Sequence, residues 1–167
     1  MELFSKPGVA GILEKNIDGI DYILIQDRCK DNAKLEVGLL EIPAGKIREF
    51  ENIFDCLRRE VWEETGLQVT YIQGEDEVVV FEANGYKVLN YTPFSSSQNI
   101  QGIYPIMVQT FICNAYGDLL KKTNETKNIR WMSLIELKGL LESNRNLFYP
   151  KHVTTLEKYL NMKLKHE

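Results

Sequence analysis

Three glutamates stand where a helix least tolerates them, and their placement constrains this chain more than any other feature. In the stretch 45–67, GKIREFENIFDCLRREVWEETGL, Ile53, Leu57 and Val61 recur every fourth residue with Phe54 beside them. That is the buried stripe of an amphipathic helix. Glu51 or Asn52 is placed to open it, and Gly66 to end it in a left-handed C′ position. At about 100° per residue, Glu60, Glu63 and Glu64 share an arc of roughly 100° in the last turn. Like charges at i, i+3 and i+4 cost about 0.2–0.5 kcal/mol per pair. The partial negative charge of the helix C-terminus adds to that penalty. A purely structural helix would carry Lys or Arg there. Carboxylates gathered against both effects need a cation.

A hard divalent metal is the simplest one. Mg²⁺ takes oxygen ligands, usually one or two carboxylates with waters and substrate phosphate oxygens. Soft alternatives lack ligands: His152 and His166 are the only histidines, and Cys29, Cys56 and Cys113 form no pair at zinc spacing. The competing reading is a solvated acidic face on an ordinary surface helix. The whole spacing decides between them. Gly45, Glu51, Arg59, Glu60, Glu63, Glu64 and Gly66, with apolar Val61 and Leu67, stand at the intervals of one signature. A chance match of this length is on the order of one in ten million at average residue usage.

That signature resembles the Nudix hydrolases at every position, and the segment LEIPAGKI resembles the ADP-ribose pyrophosphatase-like members. The resemblance implies an α/β (α+β) fold, the Nudix fold, with a mixed β-sheet sandwiched between helices. It implies a Mg²⁺-dependent hydrolase (Mn²⁺ as a substitute, with more than one ion) that cuts the phosphoanhydride of a nucleoside diphosphate linked to another moiety. ADP-ribose or a nucleotide sugar would be such a substrate. By position, Glu60 and Glu64 are the primary metal ligands, Glu63 serves a further ion, and the main chain of Ala44 or Gly45 adds a carbonyl. Arg59 reads either as an i,i+4 partner of Glu63 or as a brace fixing a carboxylate rotamer. Glu51 is a helix start, a loop tie or an outer partner of the metal. Once metal occupies the helix glutamates, a further carboxylate must take the proton from the attacking water. Glu125, six residues before Trp131, is the candidate, with Asp118 and Glu63 as competitors.

Two other classes compete. A non-catalytic Nudix-like nucleotide-binding module would typically lack one of the glutamates, and none is missing. Isomerase or decapping chemistry on the same scaffold is the other; an isomerase needs a Cys–Glu acid/base pair, for which Cys56 is the nearest thiol, though packing explains it equally. A (d)NTP or dinucleoside polyphosphate pyrophosphohydrolase remains an alternative within the first class. Substrate-binding candidates are Arg28, Phe94 and Tyr104. The two rings lie in or beside a long polar stretch, Thr92 to Pro105, at the substrate-loop position of the resemblance. Its usual Ser-Pro-Gly pattern is absent, and only about 40 residues precede the motif.

The remaining chain fits one domain over 1–167. At 167 residues and 44% apolar it has enough chain for a core, and no repeat or linker interrupts it. Net charge is −4, half of it within 45–67. No basic stripe marks a nucleic-acid partner. Apolar runs near the start are too short for a signal peptide or membrane span. Isolated cysteines fit a reducing cytoplasm. Trp62 lies away from both stripe and acids, under another element or at a homodimer contact.

Periodicity and turn residues predict strands at Gly8–Glu14 and Tyr22–Gln26, joined at Asp18-Gly19. Leu39–Pro43 is a short apolar run that Pro43-Ala44-Gly45 breaks before the motif, and further strands are expected at Leu67–Ile72, Val78–Ala83, Tyr86–Tyr91, Pro105–Ala115 and Ile129–Met132, with Asn84-Gly85 as a type I′ turn. Arg28–Glu36, Thr92–Pro105 and Tyr116–Asn128 read as loops. Two helices close the chain, one capped by Ser133 with Glu136, the other spanning Lys151–Lys165.

Overall fold

The computed structural model describes residues 1–29 and 36–165, so most of the expected loop Arg28–Glu36 lies outside the described residues. The first half comprises β1 (Lys6–Ile17), β2 (Ile20–Arg28), β3 (Leu40–Glu41), β4 (Ala44–Lys46), α1 (Ile53–Thr65) and β5 (Gln68–Ile72). Then come β6 (Val79–Ala83), β7 (Tyr86–Asn90), β8 (Ser95–Gln98), β9 (Ile106–Tyr116) and β10 (Thr126–Ser133). α2 (Leu134–Ser143) and α3 (Pro150–Leu164) complete the fold.

The main sheet runs β10-β2-β1-β9-β5, with β3, β4 and β8 paired onto β2, β1 and β9. It is mixed: β1 and β9 are parallel, and the other pairs are antiparallel. β1 shows why helices cover both faces. Its run Val9–Leu13 is buried throughout, Ala10 and Ile12 on one side, Val9 and Leu13 on the other. A strand buried on both faces reads as a continuous apolar run. Leu137, Leu141, Leu156 and Leu160 of α2 and α3 cover the first side. Phe54, Leu57 and Val61 of α1 cover the second. The motif helix is thus fixed across the sheet through the stripe seen in the sequence.

Local signals were accurate at the turns. Asp18 and Gly19 (φ 52° and 83°) and Asn84 and Gly85 (φ 53° and 81°) both carry the positive angles of a type I′ hairpin. Ser133 accepts a hydrogen bond from the Glu136 amide and caps α2. Two expectations change. The run Leu39–Pro43 holds β3 on β2, and the break expected at Pro43-Ala44-Gly45 leads instead into β4 on β1. Thr92–Pro105 is not a loop throughout, because Ser95–Gln98 forms β8 against β9. Ser-Ser-Ser-Gln has little strand propensity of its own. The β9 backbone supplies its ladder, and the Ser95 and Ser97 hydroxyls meet Thr155 of α3 at 2.9 and 3.3 Å.

Candidate active site

α1 begins at Asn52, whose side chain accepts from the Phe54 amide, and ends at Gly66, left-handed at φ 80°. No basic residue lies in its last turn. Its acids line a cleft of about 670 Å³. Six carboxylates line it: Glu36, Glu41, Glu60, Glu63, Glu64 and Glu125. Cationic and aromatic side chains line it too: Arg28, Lys46, Arg48, Lys151, Tyr104 and Tyr149. Acids and cations around one cleft suit a metal-bridged polyanion.

Each acid is positioned differently. Glu64 is buried, and its Oε2 accepts from Gln26 Nε2 at 2.8 Å and from the Ala44 amide at 3.2 Å. The Ala44 amide thus helps to hold the Glu64 carboxylate in place. Glu60 fills the space above Gly45, where a Cβ would lie 1.9 Å from its Cδ. The missing side chain at residue 45 makes room for this carboxylate. Burial pushes the Glu60 carboxyl above its ordinary value; the Arg59 hydrogen bond opposes that, and Glu63 and Glu125 add to it. Glu63 is half exposed and meets Arg59 at 3.4 Å.

Arg59 is a brace as well as an i,i+4 partner. Its Nε and Nη2 donate to both Glu51 oxygens at 2.7 and 3.0 Å, while Nη1 donates to Glu60 at 2.7 Å. The Arg59 hydrogen bond holds the Glu51 carboxyl down to about 2. Glu51 also accepts from the Arg48 amide at 3.0 Å, tying the loop before α1 to the helix. Of the roles foreseen for Glu51, this bond makes it the loop tie, while Asn52 starts the helix. Cys56 is buried, and burial with Glu51 pushes its thiol up to about 12, in keeping with a packing role.

Glu125 lies in the cleft at the start of β10, close enough to Glu60 to raise its pKa. Three bonds anchor it: its amide donates to Thr123 Oγ1, its carbonyl accepts from the Cys29 amide, and Thr126 Oγ1 donates to the Glu64 carbonyl at 3.2 Å. Asp118 is outside the cleft lining, beside Gly66 at the far end of α1. Tyr104 lies in the cleft under the ammonium groups of Lys6 and Lys46, 5.0 and 5.7 Å from its centroid. Phe94 does not line it; its ring packs edge-on against Tyr159 at 6.4 Å, beneath Lys158. Arg28 is buried between Glu36 and Glu41, at 2.9 and 3.1 Å, and stacks on Tyr149 at 4.4 Å. Burial opposes its charge, but Glu41, Tyr149 and Glu36 outweigh it and raise its pKa. Trp62 is exposed, not packed under another element.

Sequence reasoning missed Gln26, Glu41, Tyr149 and Lys151. Gln26 carried a faint signal, a polar residue closing the apolar strand run Ile23–Ile25. The others lie far apart in the chain and meet only when β2, β3 and α3 assemble.

The donors fit a hard divalent cation, being oxygens around a floor cleared by Gly45. Among the described residues, no three acidic, His or Cys side chains already converge as a metal shell. Glu64 is turned to Gln26 and Glu60 to Arg59.

A braced acidic helix across a mixed sheet from two further helices, with one glutamate above a bare glycine, matches the fold that the 45–67 signature implies. The NUDIX domain family model matches residues 5–152, and the chain belongs to that family. That membership supports a pyrophosphohydrolase. The NUDIX domain of Shewanella oneidensis NrtR, complexed with ADP ribose, is similar at TM-score 0.66 and 14% identity, over 95% of this chain and 88% of that one. The MutT protein from Methanosarcina mazei Go1 is similar at TM-score 0.59 and 20% identity, over 98% and 99%. A C. elegans Ap4A hydrolase binary complex gives TM-score 0.51 and 16% identity, over 92% and 94%. At these identities the likeness is one of fold. No curated protein sequence matches the chain.

Proposed function

We propose that this chain hydrolyses the diphosphate of a nucleoside diphosphate linked to another moiety, with ADP-ribose and nucleotide sugars as the first substrates to test. The observation that carries this is that the Glu60–Glu63–Glu64 cluster and the cations Lys46, Arg48 and Lys151 line one cleft. The ADP ribose complex of the NrtR domain supports the nucleoside choice. Glu60, Glu63 and Glu64 would hold Mg²⁺ or Mn²⁺, with the Ala44 carbonyl as a further ligand. Such a cation neutralises charge on the diphosphate.

The chain's own residues do the rest. Arg59 keeps Glu60 and Glu63 on the cleft side of α1, and Glu51 keeps Arg59 in place. Lys46, Arg48 and Lys151 draw in the substrate phosphates. Tyr104 offers a ring to the base, and Arg28 orders the wall behind it through Tyr149. Glu125 accepts the proton of the attacking water. A dinucleoside polyphosphate is the second reading, since the cationic lining has room for additional phosphates and an Ap4A hydrolase shares the fold. A cytoplasmic setting suits the three free cysteines. No helix among the described residues is long and apolar enough to cross a membrane.

The experiment is a panel of ADP-ribose, NADH, nucleotide sugars, dinucleoside polyphosphates and (d)NTPs, scored by product with Mg²⁺, with Mn²⁺ and with chelator. Release of a nucleoside monophosphate from ADP-ribose or a sugar nucleotide, lost with chelator, is the expected result. Activity confined to (d)NTPs, or unaffected by chelator, would sink the proposal.

A further inference from the structure

The strands β6 and β7 form a two-stranded sheet of their own, outside the main sheet. Cross-strand partners share a face, so the register sorts this hairpin into two surfaces. Val80 with Leu89 and Glu82 with Lys87 occupy one. There Leu89 packs against the core beneath α1, and Glu82 pairs with Lys87 at 3.3 Å. Val79 with Asn90, Phe81 with Val88 and Ala83 with Tyr86 occupy the other. This second surface carries no charge, yet it too is exposed: Val79 63%, Phe81 62% and Tyr86 75%. An ordinary surface hairpin turns its charges to water and its apolar side inward. This one leaves an uncharged apolar face in water as well.

Two strands alone are marginal in water. Here the base is held, because Val78 and Leu89 pack on the core and the Tyr91 ring lies 6.1 Å from Phe54 and 6.0 Å from Phe111. Beyond that base the hairpin projects with both strand edges open among the described residues. Scattered exposed apolar side chains need no explanation, but a contiguous uncharged apolar face marks an interaction surface.

We propose that this face docks on the same face of a second copy of the chain, the two hairpins stacking about a two-fold axis. Area supports that occupant. The five apolar side chains of the surface offer on the order of 500 Å², with aromatic rings as the largest share. Two facing copies would bury about 1,000 Å², the lower bound for a specific interface. Charge supports it too. The chain is net −4, so two copies carry like net charge, and this uncharged face adds no repulsion of its own. A nucleic acid or an acidic or basic peptide would find nothing here to pair with. A flat apolar sheet face is self-complementary under two-fold symmetry, and Phe81 and Tyr86 are its anchors.

The test is sedimentation equilibrium on the full chain, wild type against the double variant Phe81→Glu with Tyr86→Glu. The wild type should dimerise, and the double variant should associate at least a hundredfold more weakly with an unchanged far-UV circular dichroism spectrum. Phe81→Ser, a gentler change at an exposed site, should raise the dissociation constant at least tenfold and covers the case in which the double variant misfolds. A dimer that persists in Phe81→Ser with unchanged affinity puts the interface elsewhere and overturns the proposal. So does a wild-type chain that stays monomeric up to about 100 μM, well above the micromolar range of specific pairs, even if it binds neutral lipid vesicles instead.

Discussion

Glu60 occupies the space a side chain at residue 45 would need: its Cδ lies 1.9 Å from where a Cβ on Gly45 would stand. Gly45 is absent from the positive-φ glycines, so backbone strain is not what demands glycine there. The demand comes from the end of a flexible side chain, which can swing aside at little cost to the fold. Gly45→Ala should therefore change the melting temperature by only a few degrees, about 1 kcal/mol or less, while cutting kcat at least tenfold as Glu60 leaves the cleft. Melting and turnover measured on the same preparation check this. Equal losses in both would show that Gly45 serves the fold instead.

The Arg59–Glu51 pair sets a pH dependence of stability. Glu51 is held at about 2, against roughly 4.3 in an unfolded chain. A depressed carboxylate contributes stability above the unfolded value, and that contribution is lost as pH falls toward 2. Glu51→Gln should be less stable than wild type at pH 7, and the gap should narrow between about pH 4.5 and 2. Urea unfolding across that window reads it directly. A gap independent of pH would contradict the role given to the charge.

His152 acts with the opposite charge type and over a different window. It is fully buried beside Tyr149, with neither ring nitrogen hydrogen-bonded among the described residues. Burial, then Lys151 and Arg28, hold its pKa well below the ordinary value. Below about pH 6.5 the unfolded chain binds a proton that the folded chain refuses, so stability falls by up to about 1.4 kcal/mol per pH unit. His152→Leu should remove that slope between pH 6.5 and 5. Denaturant midpoints at both pH values, in wild type and variant, are the measurement.

Glu125→Gln should leave KM nearly intact, lower kcat by roughly 10²–10⁴-fold and remove the acidic limb of the pH–rate profile. If extra Mg²⁺ restores turnover, Glu125 holds metal instead. If neither changes, the base lies within the helix set, with Glu63 the exposed candidate, since Asp118 is outside the cleft.

Tyr104 and Phe94 were equal candidates in the sequence, and the structure separates them. Tyr104→Ala should raise KM for the best substrate by about 5–150-fold, the equivalent of 1–3 kcal/mol of stacking, with a smaller change in kcat. Phe94→Ala should leave KM alone and lower stability by about 1–3 kcal/mol, through the lost contact with Tyr159. Steady-state kinetics beside thermal unfolding distinguishes the two.

What could be read in advance was whatever the chain writes locally. The stripe Ile53–Leu57–Val61, the cap at Asn52 and the stop at Gly66 lie within one short segment, so α1 and its acids were legible as a unit. So were the turns at Asp18-Gly19 and Asn84-Gly85. The other side of the cleft was not. Tyr149 reaches Arg28 across more than a hundred residues, with Lys151 over the same ring, and nothing in their spacing marks the meeting. β8 was hidden for a related reason: its strand character comes from β9, not from its serines. The apolar strands β6 and β7 were seen, but which side faced water depended on what lay beneath Leu89.

The parallel pairing of β1 with β9 matches Lys6 with Ile106 and Glu14 with Asn114. During synthesis, α1 and its glutamates leave the ribosome long before the strand that completes the centre of the sheet beneath them. Closing so wide a loop is costly before any contact compensates for it, and such topologies assemble slowly. A nascent chain ending at Tyr104 would hold the entire signature motif yet lack β9, to which β1, β5 and β8 all pair. Possession of the motif and possession of a working cleft are thus separate events in the life of this chain, divided by the arrival of a single strand.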